Sequence, residues 1–65
     1  MAEMSIRELA EHIVRYRAEK RLSQVNFARA VGVSPMTLYK IEKCVTQRVH
    51  PTTYYRIMDY MDSHK

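Results

Sequence analysis

The chain has one glycine, two prolines and one cysteine in 65 residues. A single cysteine excludes an internal disulfide and is typical of a reducing compartment, so we expect a cytoplasmic protein. Its three histidines, His12, His50 and His64, do not combine with the cysteine in any zinc-ligand spacing, and we expect neither a metal nor a cofactor. No apolar run approaches the ~18 residues that indicate a membrane span, and the N-terminus has no signal-peptide core.

Strand signals are missing as well. There is no sustained apolar–polar alternation and no Asn-Gly or Asp-Gly hairpin turn, and no internal repeat or low-complexity segment. The length allows one small domain over 1–65, and a domain of this size buries only about 60% of its unfolded surface. Its stability must therefore come from helix packing, and the sequence predicts an all-α, compact four-helix fold.

The charge is moderately positive. Eleven Lys and Arg against seven Asp and Glu give a formal net charge of +4. Such a balance fits an ordinary basic protein and also a protein with a polyanionic partner, and charge alone does not decide between them.

The first helix is predicted from Ile6 to Glu19. Ser5 and Glu8 form a capping box at its start. Its inner face is Ile6, Ala10, Ile13 and Arg17, with Leu9 and Val14 beside it.

A helix, a sharp turn and a second helix are predicted at about 23–43. Ser23 caps the second helix, which turns Phe27, Ala28 and Val31 inward. Gly32, the only glycine, makes the turn, because such a turn needs a positive φ. Ser34 caps the third helix and Pro35 occupies its first position. Leu38 and Ile41 face inward, and the opposite face carries Met36, Tyr39, Lys40 and Lys43.

The stretch from Cys44 to His50 has no helical period and is predicted to be a loop. The fourth helix starts at Pro51. Its inward residues are predicted to be Tyr54, Ile57, Met58 and Met61, and the residues on its other sides Tyr55, Arg56, Asp59, Tyr60 and Asp62.

The pattern from Arg17 to Glu42 resembles a known family. The matching residues are Leu22, Ser23, Gln24, Phe27, Ala28, Val31, Gly32, Val33, Ser34, Leu38, Ile41 and Glu42. This pattern is similar to the helix-turn-helix of lambdoid phage repressors and Cro proteins, and to the wider xenobiotic-response-element family of bacterial regulators. The resemblance implies a sequence-specific DNA-binding transcriptional regulator with its recognition helix, 34–43, in the major groove of double-stranded DNA.

The resemblance also implies roles for individual residues. Gln24 matches a position that bonds a DNA phosphate, and Pro35, Met36, Thr37 and Lys40 match positions that contact base edges. Arg48 and His50 fall near a loop that contacts the backbone or the minor groove. Ser34, Tyr39 and Lys43 complete the expected DNA-binding set. Arg17 and Glu42 match an ion pair that joins the first helix to the third.

The chain departs from that family at several positions. Pro35 and Met36 stand where several phage repressors have glutamine, and neither can form a bidentate bond to adenine. Met36 could instead contact a thymine methyl group. Cys44 stands where glycine is frequent, and no full fifth helix follows for a dimer. We therefore expect a monomer or weak homodimer that pairs on a palindromic operator, with Tyr55, Tyr60 and Met61 as candidate interface residues.

Two alternatives to this interpretation remain open. The fold could serve as a protein-interaction module, an antirepressor or antitoxin component, in which Tyr55, Tyr60 and Met61 bind the partner. The chain could also be the DNA-binding domain of a longer repressor, which its starting Met and lack of a linker argue against. An enzyme is not expected, because Cys44 follows a helix C-terminus, where the dipole disfavours a thiolate.

Overall fold

Four helices joined by short connections make up the part of the chain that the structure describes. A computed structural model describes residues 5–46 and 48–65. The helices are α1 (Ile6–Lys20), α2 (Gln24–Val31), α3 (Pro35–Glu42) and α4 (Pro51–Ser63), and the described residues contain no strand. The predicted all-α fold is confirmed, with helix ends within about one residue of those expected. Within the same residues, no helix is both long enough and apolar enough to cross a membrane.

The first three helices begin at the serines that the sequence indicated. At α1, the Glu8 N–H donates to Ser5 Oγ at 3.2 Å and the Ser5 N–H donates to Glu8 Oε1 at 3.1 Å, which completes the capping box. The Asn26 N–H donates to Ser23 Oγ at the start of α2. At the start of α3, the Thr37 N–H donates to the Ser34 side chain, and Pro35 occupies the first helical position.

Three helices end in a left-handed residue. Arg21, Gly32 and Cys44 have φ values of 57°, 91° and 56°. In each case the following N–H donates to the carbonyl five residues before it: Leu22 to Arg17, Val33 to Ala28 and Val45 to Lys40. These are Schellman-type ends. The sequence indicated a left-handed turn only at the glycine, and it missed the other two.

The core lies where α1 and α2 pack on α3 and where α4 closes against α2. Its buried residues are Leu9, Ala10, Ile13, Phe27, Ala28, Leu38, Ile41 and Ile57. The inner face of α1 is thus rotated from the predicted one: Leu9 is fully buried, whereas Ile6 is only partly buried and Val14 is exposed.

Tyr60 is placed differently from the prediction. It was expected on an outer side of α4, but it is partly buried and its ring contacts Phe27 at a centroid distance of 5.8 Å. Tyr16 joins the same cluster and donates from its hydroxyl to the carbonyl of His64. Burial, with a smaller contribution from Tyr60, raises the pKa of Tyr16 above 10.0. The aromatic cluster therefore fastens the end of α4 to α1.

Candidate nucleic-acid interface

The outer face of α3 is held toward solvent by the burial of its inner face. Leu38 and Ile41 lie in the core, so the residues on the opposite side of this two-turn helix must point outward. Met36 is 61% exposed, which is a large apolar side chain to leave in water. The other members of this face, Tyr39, Lys40 and Lys43, are exposed as predicted.

The turn before α3 fixes the angle at which this face is presented. Gly32 adopts a φ of 91°, and its N–H donates to the Ala28 carbonyl at 2.8 Å. Arg56 on α4 donates to the Gly32 carbonyl at 3.1 Å. A Cβ at Gly32 would lie 3.4 Å from Arg56 Nη1, an ordinary contact, so the glycine is needed for its φ and not for space.

Ser34 and Thr37 are joined by two hydrogen bonds at the start of α3. Ser34 Oγ accepts from the Thr37 N–H at 3.1 Å and donates to Thr37 Oγ1 at 2.8 Å. The same serine therefore caps the helix and orients the hydroxyl of a predicted base-contacting residue.

Tyr39 and Lys43 are neighbours one turn apart. The Lys43 ammonium lies 6.0 Å from the centre of the Tyr39 ring, at the edge of cation–π range. The pair places a positive charge at the C-terminal end of the exposed face.

The loop after α3 brings Arg48 and His50 beside two residues that are predicted to contact bases. With Thr37 and Lys40 they line a shallow groove of about 250 Å³. Ile41, Thr46, Val49 and Thr53 complete its lining. Thr46 donates its hydroxyl to the Arg48 carbonyl at 2.9 Å, which braces the loop. Sequence reasoning did not identify Thr46 or Thr53, because neither belongs to the motif.

His50 also caps α4, a role that the sequence did not reveal. Its Nδ1 accepts from the Thr52 N–H at 3.1 Å, and Pro51 follows it at the first helical position. Proline at that position was the available signal, since the residue before it is then the cap.

Gln24 is not directed freely toward solvent. It is partly buried, and its Nε2 donates to Glu42 Oε1 at 3.2 Å. A DNA phosphate bound here would therefore contact the free N–H groups in the first turn of α2. The Gln24 side chain beside it would already be hydrogen-bonded to Glu42 of α3.

Glu42 is also the partner of Arg17, as the resemblance implied. Arg17 Nη2 lies 2.6 Å from Glu42 Oε1 and Arg17 Nε lies 2.8 Å from Oε2, a bidentate arrangement. A third donor of Arg17 reaches the Leu22 carbonyl at 3.1 Å. The side chains are only 20% and 5% exposed, so the network is shielded and joins α1, α2 and α3.

Charge is distributed unevenly along the chain. Residues 20–58 contain seven Lys and Arg and one acidic residue, Glu42, which Arg17 neutralises. The basic residues are Lys20, Arg21, Arg29, Lys40, Lys43, Arg48 and Arg56. The remaining acidic residues lie before and after this segment. Three of its cations, Lys40, Lys43 and Arg48, lie between the start of α3 and the end of the following loop, which makes this region positively charged.

Comparison with known proteins agrees with this geometry. A family model described as a helix-turn-helix domain matches residues 5–63. No curated protein and no solved structure matches the chain.

Proposed function

Since the chain belongs to the helix-turn-helix domain family, whose members are DNA-binding regulators of a typically non-enzymatic kind, we propose that it is a sequence-specific transcriptional regulator similar to the Cro proteins and phage repressors. In this proposal α3 lies in the major groove of double-stranded DNA. The observation that carries it is the outward face of α3, with exposed Met36 and Lys40 at successive turns.

The proposed contacts divide into two classes. Met36, Thr37 and Lys40, with Pro35 beside them, face base edges and supply sequence preference. Tyr39, Lys43 and the first turn of α2 at Gln24 face phosphates. Phosphate contacts hold the protein in register but carry no sequence information.

Arg48 and His50 extend the surface beyond α3. They border the same groove as Lys40. This proximity supports a contact with the DNA backbone next to the bases that α3 recognises in this proposal. Ser34 acts through Thr37, because its hydroxyl is bonded to that side chain.

The alternative of a protein-interaction module has less support. Of the three residues assigned to it, Tyr60 and Met61 are partly buried against the core, and only Tyr55 is largely exposed, at 58%. Of the surface expected to bind a protein partner, one exposed aromatic side chain therefore remains. The lysines on the outer face of α3 are exposed.

Selection from a random pool of double-stranded DNA tests the proposal. We expect an enriched palindrome and binding that weakens steeply with salt, because phosphate contacts release counterions. A pool that remains random after repeated rounds, with no salt-dependent binding, would refute sequence-specific DNA recognition. Retention of a protein partner that depends on Tyr55 would then support the interaction module.

A further inference from the structure

The peptide unit that leads from α2 into the turn is held from both of its sides. Its N–H, which belongs to Val33, donates to the Ala28 carbonyl at 3.0 Å. Its carbonyl, which belongs to Gly32, accepts from Arg56 Nη1 of α4 at 3.1 Å. The first bond is part of the helix end itself, whereas the second comes from a helix that lies much later in the chain.

Glycine gives this turn its positive φ, but glycine does not hold the turn still. Gly32 has a φ of 91° and a ψ of 29°. Without a Cβ, glycine occupies a broad range of backbone angles, so it does not by itself fix the peptide plane that follows it. The N-cap of α3, Ser34, comes only two residues later. A rotation of this plane would therefore change the direction in which α3 leaves the turn.

Arg56 is placed for its bond by the burial of its neighbour. Ile57 is fully buried in the core, which fixes the backbone of α4 at this point. Arg56 itself is exposed, and its guanidinium reaches the C-terminal end of α2. A cation is favourable there, because the carbonyl groups at the end of a helix lack helical partners and carry the negative end of the helix dipole.

We propose that Arg56 is a positioning residue for sequence recognition, which fixes the angle between α2 and α3 from outside the DNA interface. The inference rests on the proposed function, because it requires that α3 recognises bases. Base contacts need a helix that is held closely in place, whereas phosphate contacts by long, flexible lysines tolerate a small displacement. Loss of the Arg56 bond should therefore weaken binding to the operator more than binding to an unrelated duplex.

The Arg56→Met variant tests the proposal, since methionine keeps an unbranched chain but has no donor. On the operator selected from the random pool, it should bind about fivefold more weakly than wild type, which corresponds to the loss of one net hydrogen bond. On a duplex of unrelated sequence it should bind within about twofold of wild type. The ratio of the two affinities is the quantity to compare, because partial unfolding would lower both affinities equally and leave their ratio unchanged.

The Arg29→Met variant is a matched control for the loss of one positive charge. Arg29 is exposed in the last turn of α2, whereas the bond to the Gly32 carbonyl comes from Arg56. We expect Arg29→Met to leave the ratio of operator affinity to unrelated affinity within about twofold of wild type. An equal fall of this ratio in both variants would mean that charge near the turn is responsible, and it would overturn the proposal.

The salt dependence of binding separates positioning from a direct phosphate contact. Under the proposal, wild type and Arg56→Met have the same salt slope on the operator. If Arg56 contacted a phosphate, Arg56→Met would weaken binding to both duplexes alike and lower the salt slope by about 1. That result would also overturn the proposal.

Amide hydrogen exchange measures the turn itself and needs no DNA. The Val33 N–H belongs to the peptide unit that Arg56 holds, so it should exchange about fivefold faster in Arg56→Met than in wild type. The Phe27 N–H, which donates to the Ser23 carbonyl at 2.9 Å, is the internal reference for global opening. Unchanged exchange at Val33 would show that the turn is rigid without Arg56, and the proposal would be wrong. Absence of sequence-specific binding by the wild-type protein would instead contradict the proposed function.

Discussion

In the part of the chain that the structure describes, three residues in the left-handed region end helices, and one of them is glycine. Gly32 adopts that conformation without steric cost, whereas Arg21 and Cys44 carry a Cβ that approaches the following carbonyl oxygen. The cost for an ordinary residue is roughly 1–2 kcal/mol. Two of the three helix ends are therefore strained, in a domain whose size already limits its stability.

Replacement of Cys44 by glycine should relieve one of these strains. Cys44 is exposed, so its side chain contributes little packing that would be lost. We expect Cys44→Gly to unfold with a free energy about 1 kcal/mol higher than Cys44→Ala, which keeps the Cβ. Urea denaturation of both variants measures the difference. Equal stability of the two would show that the φ of 56° carries no strain.

The pair of Arg17 and Glu42 should be coupled well beyond a surface ion pair. Its bidentate geometry and low exposure shield it from water, and removal of one partner leaves a charge in that place. We expect Arg17→Met to lower the free energy of unfolding by roughly 3 kcal/mol, against the ~0–1 kcal/mol of an exposed pair.

A double-mutant cycle with Glu42→Gln isolates the interaction. A coupling energy above about 1 kcal/mol is expected, since three donors, from Arg17 and Gln24, meet this carboxylate. Coupling near zero would mean that the two residues act as independent surface charges.

At the scale of elements, the N-cap of α4 is supplied by an imidazole. We expect His50→Ala to cost about 1 kcal/mol of stability, because the Thr52 N–H loses its acceptor. His50→Asn should restore most of that loss, since asparagine is a favoured cap. Thermal unfolding at constant pH compares the three proteins. If alanine and asparagine are equivalent, the imidazole does not stabilise α4.

Helix positions were predictable because their boundaries depend on local chemistry. Ser5, Ser23 and Ser34 cap helices, and each cap is visible in the sequence as a short polar side chain before a periodic apolar segment. His50 was not recognised as a cap because the favoured set is Ser, Thr, Asp and Asn. Left-handed ends at Arg21 and Cys44 were missed for the same reason, since only glycine and asparagine signal them.

The faces of the helices were less predictable than their ends. The helical period gives the spacing of the inward residues, but it does not give the rotation of the helix about its own axis. A small rotation changes which of the neighbouring residues lies at the centre of the buried face. That explains why Leu9 displaced Ile6 at the centre of α1 and why Tyr60 was assigned to the wrong side of α4. Tyr60 is held inward by contacts with Phe27 and Tyr16, which are distant in sequence.

The predicted DNA-binding residues fall into one region for a simple reason. Most of them lie on two turns of α3, whose inner positions are fixed by Leu38 and Ile41. Arg48 and His50 join them through the loop, as shown by the groove that they share with Lys40. The orientation of Gln24 toward Glu42 could not be predicted, because it depends on the packing of α2 against α3.

At the scale of the molecule, the basic segment, residues 20–58, and the small size of the chain bear on its oligomeric state on DNA. One helix-turn-helix contacts few base pairs, and related proteins gain selectivity by placing two recognition helices about 34 Å apart on a two-fold operator. With Tyr60 and Met61 packed on the core, the surface left for self-association is smaller than the sequence suggested.

We therefore predict a monomer or weak dimer in solution that pairs on a palindrome. Sedimentation equilibrium at micromolar concentration should give a mass near the 7.7 kDa of one chain. A tight dimer at that concentration would contradict the first part of the prediction. Footprinting should show two protected half-sites about one helical turn apart, and protection of one isolated half-site would contradict the second part.

The assignment of α3 as the recognition helix is tested most directly by comparing Lys40→Ala with Lys43→Ala over a panel of operator variants at several salt concentrations. Both lysines are exposed, Lys40 in the last turn of α3 and Lys43 at its C-terminal cap, so each variant serves as the control for the other. Lys40→Ala should relax sequence preference, whereas Lys43→Ala should weaken all sequences about equally and lower the salt slope by about 1. Binding by Lys40→Ala with unchanged sequence preference would show that α3 does not recognise the bases.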